Sequence, residues 1–272
     1  MKPTALILGA SSGMGLATAQ KLAGEGFDLY LLYRERKEQA REAEAGFEKL
    51  RQQGTQITSW NKDALKSETR EEVSAQLREK GAKVSLLLHS IAKGNLGLMV
   101  PYKNPSGNAS SKLSGIFGDE DRFLGDDDFL LTAEAMAVSY YNWVKAIHDE
   151  NLFAAEAAVL ALSSEGSRRA WRNYAAVSAA KAALEAISRS IAVEFAPYGI
   201  RSNILQPGVT DTRALQHIKG HEIIREQSLQ RNPFGRLTSP ADVANAVYLM
   251  SRPEARWING TVIPVDGGES IA

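Results

Sequence analysis

The sequence predicts an α/β domain built as a doubly wound parallel sheet of about seven strands, with helices on both faces. Three observations carry this. Short, continuously apolar runs alternate with longer amphipathic stretches, the pattern of strands buried on both faces. A glycine-rich turn, Gly9-Ala10-Ser11-Ser12-Gly13-Met14-Gly15, follows the first such run and opens the first helix. The 272 residues contain neither an internal repeat nor a dividing linker, and a chain of that size buries about three-quarters of its surface as one domain. Residues 1–272 are therefore expected to form a single dinucleotide-binding domain.

In chain order, residues 5–8 read as a strand and 14–23 as a helix; 29–33 follow as a strand and 35–53 as a charged helix. Residues 56–60 make a weaker strand and 67–80 a polar helix. Strands at 84–88 and 157–163 flank a helix at 130–148, and a long helix runs over 174–196. Strands at 200–205 and 261–265 complete the sheet. Its long helix carries an apolar stripe, Val177, Leu184, Ile187, Ile191 and Phe195. Two insertions, at about 93–128 and 213–236, are expected to wall the substrate site. Within the first, Asp126-Asp127-Asp128 reads as a solvated face or helix cap.

Composition narrows the chemistry. Lys plus Arg number 32 and Asp plus Glu 32, which argues against a globally basic nucleic-acid binder and against an acidic disordered tail. Without cysteine there is no thiol nucleophile, disulfide or thiolate metal site. Only four histidines occur; His217 and His221 are spaced to share a helix face, but no HExxH pattern accompanies them, so no metal is expected. Lys2 and Pro3 lead straight into a short strand rather than a signal sequence, and no apolar run is long enough for a membrane span. The expectation is a soluble, cytoplasmic protein with neither nucleic-acid nor membrane partners.

The glycine turn suits a dinucleotide. Gly9 permits the sharp turn, Gly13 the approach of a pyrophosphate and Gly15 close helix–strand packing, while Ser11, Ser12 and Met14 complete the loop. Backbone N–H groups at the helix start would meet the phosphates. NAD-preferring folds place an acid at the end of the second strand. Here Tyr33 holds that place and Arg34 follows, so nothing there repels a 2′-phosphate and NADP(H) is favoured over NAD(H).

With these features the chain resembles the short-chain dehydrogenase/reductase family over nearly its whole length. The likeness takes in Asp63 after the third strand, the loop Pro207-Gly208-Val209-Thr210-Asp211-Thr212 and the ending Asp266-Gly267-Gly268. It implies adenine contacts at Asp63 and Ala64, and nicotinamide and pyrophosphate contacts at Pro207, Gly208, Val209 and Thr212. The family's Y-x3-K spacing occurs only at Tyr33/Lys37 and Tyr141/Lys145, where chance and solvent exposure account for it. The position that opens the helix after the fifth strand instead carries Tyr174 and Lys181, a Y-x6-K pair. That spacing, with His89-Ser90-Ile91-Ala92 after the fourth strand, resembles the NADPH-dependent enoyl-acyl-carrier-protein reductases of the superfamily. Ser90, Ile91 and Ala92 would then border the cofactor. Ser164 stands where such reductases often carry a second tyrosine, and also where ordinary dehydrogenases keep a catalytic serine.

The resemblance implies three catalytic residues. Lys181 would hold the nicotinamide ribose and favour the phenolate of Tyr174; Tyr174 would donate to the forming enolate oxygen; Ser164 would orient one or the other. Four helical residues advance about 6 Å and seven about 10.5 Å, so Y-x6-K keeps the tyrosine's direction and moves it outward, toward a thioester oxygen. The expected reaction is reduction of an enoyl thioester, as in fatty acid synthesis. A carbonyl reductase or alcohol dehydrogenase is the alternative, carried by Ser164 and the long insertion, and a non-catalytic NADP(H)-binding regulator is the third reading. His89 reads as structural. The resemblance also implies a homo-oligomer, a dimer or tetramer. Arg168, Arg169 and Arg172, with Arg213, Lys219, Arg225, Arg231 and Arg236, would form a basic rim for coenzyme A or an acidic acyl carrier protein.

Overall fold

The computed structural model describes residues 2–103, 116 and 122–272. Seven parallel strands pair in the order β3-β2-β1-β4-β5-β6-β7. They are β1 (Thr4–Leu8), β2 (Asp28–Tyr33), β3 (Ile57–Asn61), β4 (Val84–His89), β5 (Phe153–Leu162), β6 (Ile200–Pro207) and β7 (Val262–Val265). The order reverses between β1 and β4, which opens a crevice at the carboxyl ends of those strands.

Alternation along each strand divides the core in two. Leu6, Leu8, Leu87 and Val159 face one layer, with Trp143, Tyr140 and Ile147 packed over them. Ala5, Ile7, Leu29 and Leu86 face the other, beneath Leu22, Phe47 and Val247. The helices α1 (Gly13–Gly24), α2 (Lys37–Gln52) and α3 (Ser67–Glu79) fall where the amphipathic stretches place them. So does α6 (Ala175–Glu194), which buries Val177, Leu184 and Ile191.

The predicted 130–148 helix is a longer rod. It runs from α4 (Asp126–Ala133) through a π-turn over Glu134–Val138 into α5 (Ser139–Asp149). Asp128 supplies the start signal: its carboxylate accepts the Gly125 N–H at 2.9 Å and the Asn95 amide at 2.8 Å. The acidic triplet is thus a cap. Of the 93–128 insertion, residues 104–115 and 117–121 lie outside the described residues.

After β6 the structure departs from the reading. The 213–236 stretch folds as α7 (Arg213–Gln216) and α8 (His221–Arg231), and a further helix, α9 (Pro240–Ser251), packs on α1 before β7. The start of α9 is written in the sequence. Pro240 stands at its first turn, and Ser239 and Asp242 form a reciprocal capping box. His217 closes α7 and His221 opens α8, with Gly220 at φ +82° between them, so they do not share one helix face. Among the described residues no helix is long and apolar enough to cross a membrane.

Tyr140 pins the α5 layer to the sheet. Its phenol is fully buried, bonds Ser202 Oγ at 2.8 Å, and Ser202 in turn meets Ser188 at 2.8 Å. Burial pushes that phenol's pKa up, so the group stays neutral. Tyr140→Phe keeps the shape and strips the chain of one partner; chemical denaturation is expected to show a loss of about 1–2 kcal/mol.

Candidate active site

At the crevice Gly9, with φ +89°, continues the turn from β1: its N–H bonds the Leu32 carbonyl at 2.8 Å. A Cβ on Gly15 would lie 2.0 Å from the Gly9 carbonyl oxygen, so a side chain there would push α1 off the turn. Gly13 differs. Its φ is +53°, and a Cβ would meet only Thr212, at 3.6 Å, so its backbone is open to the groove. Ser12, the N-cap of α1, makes no side-chain bond to the helix. The first N–H groups of α1 therefore face a groove of about 910 Å³.

The residue types and shape of this groove fit a dinucleotide. Gly9, Ser11, Ser12, Gly13 and Met14 line one end; Arg34, Asp63 and Ala64 line the adenosine side; Ser90, Ile91, Ala92, Lys181 and Thr212 lie along the rest. Gly15 is not part of the lining and acts through packing alone.

Three of the expected contacts have other partners within the chain. Tyr33 reaches the groove wall, but its hydroxyl donates to Glu44 at 2.8 Å and its ring packs edge-on against Phe47. It is a buried residue, and exposure does not explain the Tyr33/Lys37 spacing. Lys145 of the other such pair is exposed and bonded to Asp149 at 2.6 Å. Pro207, Gly208 and Val209 line a second cavity rather than the groove, and the Val209 N–H is already bonded to Glu269 at 3.1 Å. Arg34, expected to face a phosphate, pairs with Asp63 at 2.7 Å.

The second cavity, about 470 Å³, adjoins the groove at Ser164, Tyr174, Val177 and Met136. Leu96, Trp171, Leu215 and Ile218 make much of its wall apolar. Tyr174 sits between the two spaces. It is the N-cap of α6 rather than a residue of its first turn, so the helical-rise argument does not apply to it directly. Asn173 before it takes φ +64°, a left-handed conformation that asparagine tolerates. The ring lies against Gly166, where a Cβ would stand 2.6 Å from Tyr174 Cε1. Ser178, in the helix's first turn, donates to the Gly166 carbonyl and holds the two segments together.

Ser164, just past β5, brings its Oγ to 3.4 Å from the Tyr174 hydroxyl. Its neighbour Ser163 turns the other way and donates to the buried Glu185 at 2.6 Å. Burial raises the Tyr174 pKa and the Ser164 contact opposes it. Burial is the larger effect and the net shift is upward, so the phenol stands as a protonated donor and not as a phenolate. Lys181 is buried, donates to the Leu162 carbonyl at 2.6 Å, and has its pKa lowered by burial to about 8, against the opposing field of Glu185.

His89 is buried and neutral, its pKa lowered to about 3 by burial and then by the charge of Lys181. Ser139 donates to Ala135, so His89 Nε2 supplies the proton in their 2.7 Å bond. It holds β4 to the π-turned rod, a structural role as expected.

The sequence carries no expectation for Glu165 or Glu269, and places Arg231 only in the basic rim. Arg231 bonds Glu165 through both terminal nitrogens, at 2.9 and 3.0 Å, and Glu269 at 3.0 Å. Sequence spacing carried no signal for a junction spread over more than a hundred residues. The basic rim is correspondingly smaller than expected. Arg231 is spent on this junction, Arg169 pairs with Glu165, Arg213 with Glu42 and Arg236 with Asp242.

A glycine turn at a sheet reversal, followed by serine, tyrosine and lysine at the ends of β5 and the start of α6, defines a nicotinamide-dependent oxidoreductase of the short-chain dehydrogenase/reductase class. Comparison with known proteins agrees. A family model described as enoyl-(acyl carrier protein) reductase matches residues 9–270, and the chain belongs to that family. It is 28% identical to the 1-cyclohexenylcarbonyl-CoA reductase of Streptomyces collinus, over 99% of this chain and 88% of that one. It is 27% identical to a 3-oxoacyl-[acyl-carrier-protein] reductase of Aggregatibacter actinomycetemcomitans, over 98% and 99%. The structure superposes on the NADH enoyl-[acyl-carrier-protein] reductase of Aquifex aeolicus with a TM-score of 0.79 at 24% identity, covering 99% of this chain and 97% of that one.

Lys181 sets a pH dependence. Its ammonium is lost as pH rises through about 8. Cofactor affinity of the free protein, read by nucleotide fluorescence, should fall across that range, and Lys181→Arg, which stays charged, should remove the step. Between about pH 8 and 10.5 the unfolded chain holds a proton that the folded one has released, so this group makes stability rise with pH in that window.

Proposed function

We propose that the chain is an NADPH-dependent reductase of the 2,3-double bond of an enoyl thioester. The observation that carries this is Tyr174: a half-buried, protonated phenol, seven residues ahead of Lys181, set between a dinucleotide groove and an apolar cavity. Bound nicotinamide supplies the hydride. In conjugate reduction, negative charge grows on the thioester oxygen while hydride enters at C3, so the donor must stand away from the site of hydride entry. Tyr174 donates its proton or hydrogen bond there, and Ser164 holds the hydroxyl in line. Lys181 keeps two N–H donors beyond its bond to Leu162, enough for both ribose hydroxyls. The apolar wall of Leu96, Trp171 and Leu215 receives the acyl chain and excludes water.

The Streptomyces relative, named for an enoyl-CoA substrate, supports this reading. Carbonyl reduction is the second reading, favoured by the Ser164–Tyr174 contact and by the 3-oxoacyl relative. NADPH consumption with crotonyl and longer 2-enoyl thioesters, run beside 3-oxoacyl thioesters, separates them. Turnover of ketones alone overturns the proposal. With the enoyl substrate, Tyr174→Phe should cut kcat by about 10²- to 10⁴-fold and leave the cofactor Kd in place.

NADPH preference is assigned to Arg34. Its exposed pair with Asp63 is worth at most about 1 kcal/mol, and a 2′-phosphate carries more charge than a carboxylate, so the guanidinium can transfer to it. A charge-assisted bond of about 1.5–3 kcal/mol predicts that Arg34→Ala raises KM for NADPH by about 10- to 150-fold while KM for NADH changes little.

The remaining expectations belong to this proposal. A homo-oligomer is supported by exposed apolar side chains on the α4–α5 rod, Leu130, Leu131, Val138 and Tyr141, and by Trp257 and Ile271 near the C-terminal end. Coenzyme A or an acidic carrier would meet what remains of the basic rim, Arg172, stacked over Tyr102, and the exposed Arg168, whose partner Glu185 stands 3.8 Å away. The cytoplasmic setting is part of the same reading.

A further inference from the structure

Arg231 joins three segments that are far apart in the chain and adjacent to the reacting groups. It is the last residue of α8. Through Nη1 and Nη2 it grips Glu165, the residue between Ser164, which touches the Tyr174 hydroxyl, and Gly166, which supports the Tyr174 ring. Through Nη2 it also holds Glu269 Oε1, while Glu269 Oε2 accepts the Val209 N–H at 3.1 Å. Glu269 is only 2% exposed, and a Cβ on Gly208 would lie 2.7 Å from Glu269 Oε2, so that loop is pressed onto this carboxylate. The next residue, Asn232, donates to the Asp266 carbonyl at 2.8 Å and locks α8 to the same C-terminal turn.

We propose that Arg231 is a positioning residue that sets the placement of the Ser164–Tyr174 pair relative to the 207–212 loop, acting through Glu165 on one side and Glu269 on the other. A buried carboxylate and a half-buried one so close together repel each other and lose hydration; a planar guanidinium with several donors satisfies both at fixed geometry. A lysine ammonium is a point charge and cannot reproduce the bidentate grip. The two arms have separate duties. The Glu165 arm governs the proton donor, hence kcat; the Glu269 arm holds the start of the 207–212 loop, whose Thr212 lines the groove, hence cofactor affinity. The inference holds whichever double bond the site reduces, because cofactor affinity reads one arm without turnover.

The test compares Arg231→Met, Arg231→Lys, Glu165→Gln and Glu269→Gln for NADPH Kd by fluorescence, for kcat and KM on the best substrate, and for Tm. Glu165→Gln should lower kcat at least tenfold with Kd within about twofold, and Glu269→Gln should weaken NADPH at least fivefold with a smaller change in kcat. Arg231→Met should do both, and Arg231→Lys should restore less than half of either loss. Since Arg231→Met leaves the buried Glu269 without its cation and Glu165 with Arg169 alone, the triple variant Arg231→Met/Glu165→Gln/Glu269→Gln removes the charges together. It should regain Tm without regaining kcat or Kd. Recovery of function along with Tm overturns the proposal, as does a parallel fall of kcat and affinity in Glu165→Gln and Glu269→Gln. If no substrate turns over, loss of NADPH affinity in Glu269→Gln and not in Glu165→Gln still upholds the Glu269 arm, and equal affinity in both overturns it.

Discussion

Where the sheet order reverses, the backbone of Gly9 passes so close to β4 that a Cβ would lie 2.3 Å from the Ser90 carbonyl oxygen. That approach holds the β1 and β4 ends together while α1 and the 90–92 segment diverge above them. The groove opens at the divergence, with the start of α1 on one side and Ala92 on the other. A side chain at residue 9 would force the two strands apart, and every group placed by their carboxyl ends would move with them. Glu269, Ser164 and Tyr174 are positioned relative to this line by the parallel register of β4 through β7.

Desolvation is the second organising force. Lys181, Tyr174 and His89 meet at the ends of β4 and β5, and burial is the leading cause of the pKa shift of each. It acts in the direction of the neutral form every time: down for lysine and histidine, up for tyrosine. The site consequently holds a neutral histidine, a protonated phenol and an ammonium whose proton is only loosely kept at slightly alkaline pH. Removing water strengthens the hydrogen bonds that these groups make.

Much of this was legible along the chain because it is local. Strand runs, the glycine turn and the stripe on α6 depend on residues within a few positions, and the spacing of Ser164, Tyr174 and Lys181 is readable once β5 and α6 are placed. The failures are of two kinds. α9 was overlooked despite the local start signal at Ser239, Pro240 and Asp242. Tyr33, Val209 and the histidine pair were misjudged because their partners, Glu44 and Glu269, or an intervening left-handed glycine, decide where they point.

By itself, then, the sequence determined the parallel α/β class and the glycine turn at the end of the first strand, while the tyrosine and lysine were singled out through the family resemblance. Periodicity and glycine stereochemistry act over a few residues and need no partner to be read. Only the tertiary structure decided that Tyr174 is a protonated cap residue and that Arg34 rests on Asp63. It alone brought Glu165, Arg231 and Glu269 into one junction. Those outcomes depend on burial and on charge pairs formed between distant segments, and neither water exclusion nor long-range pairing has a signature in local spacing.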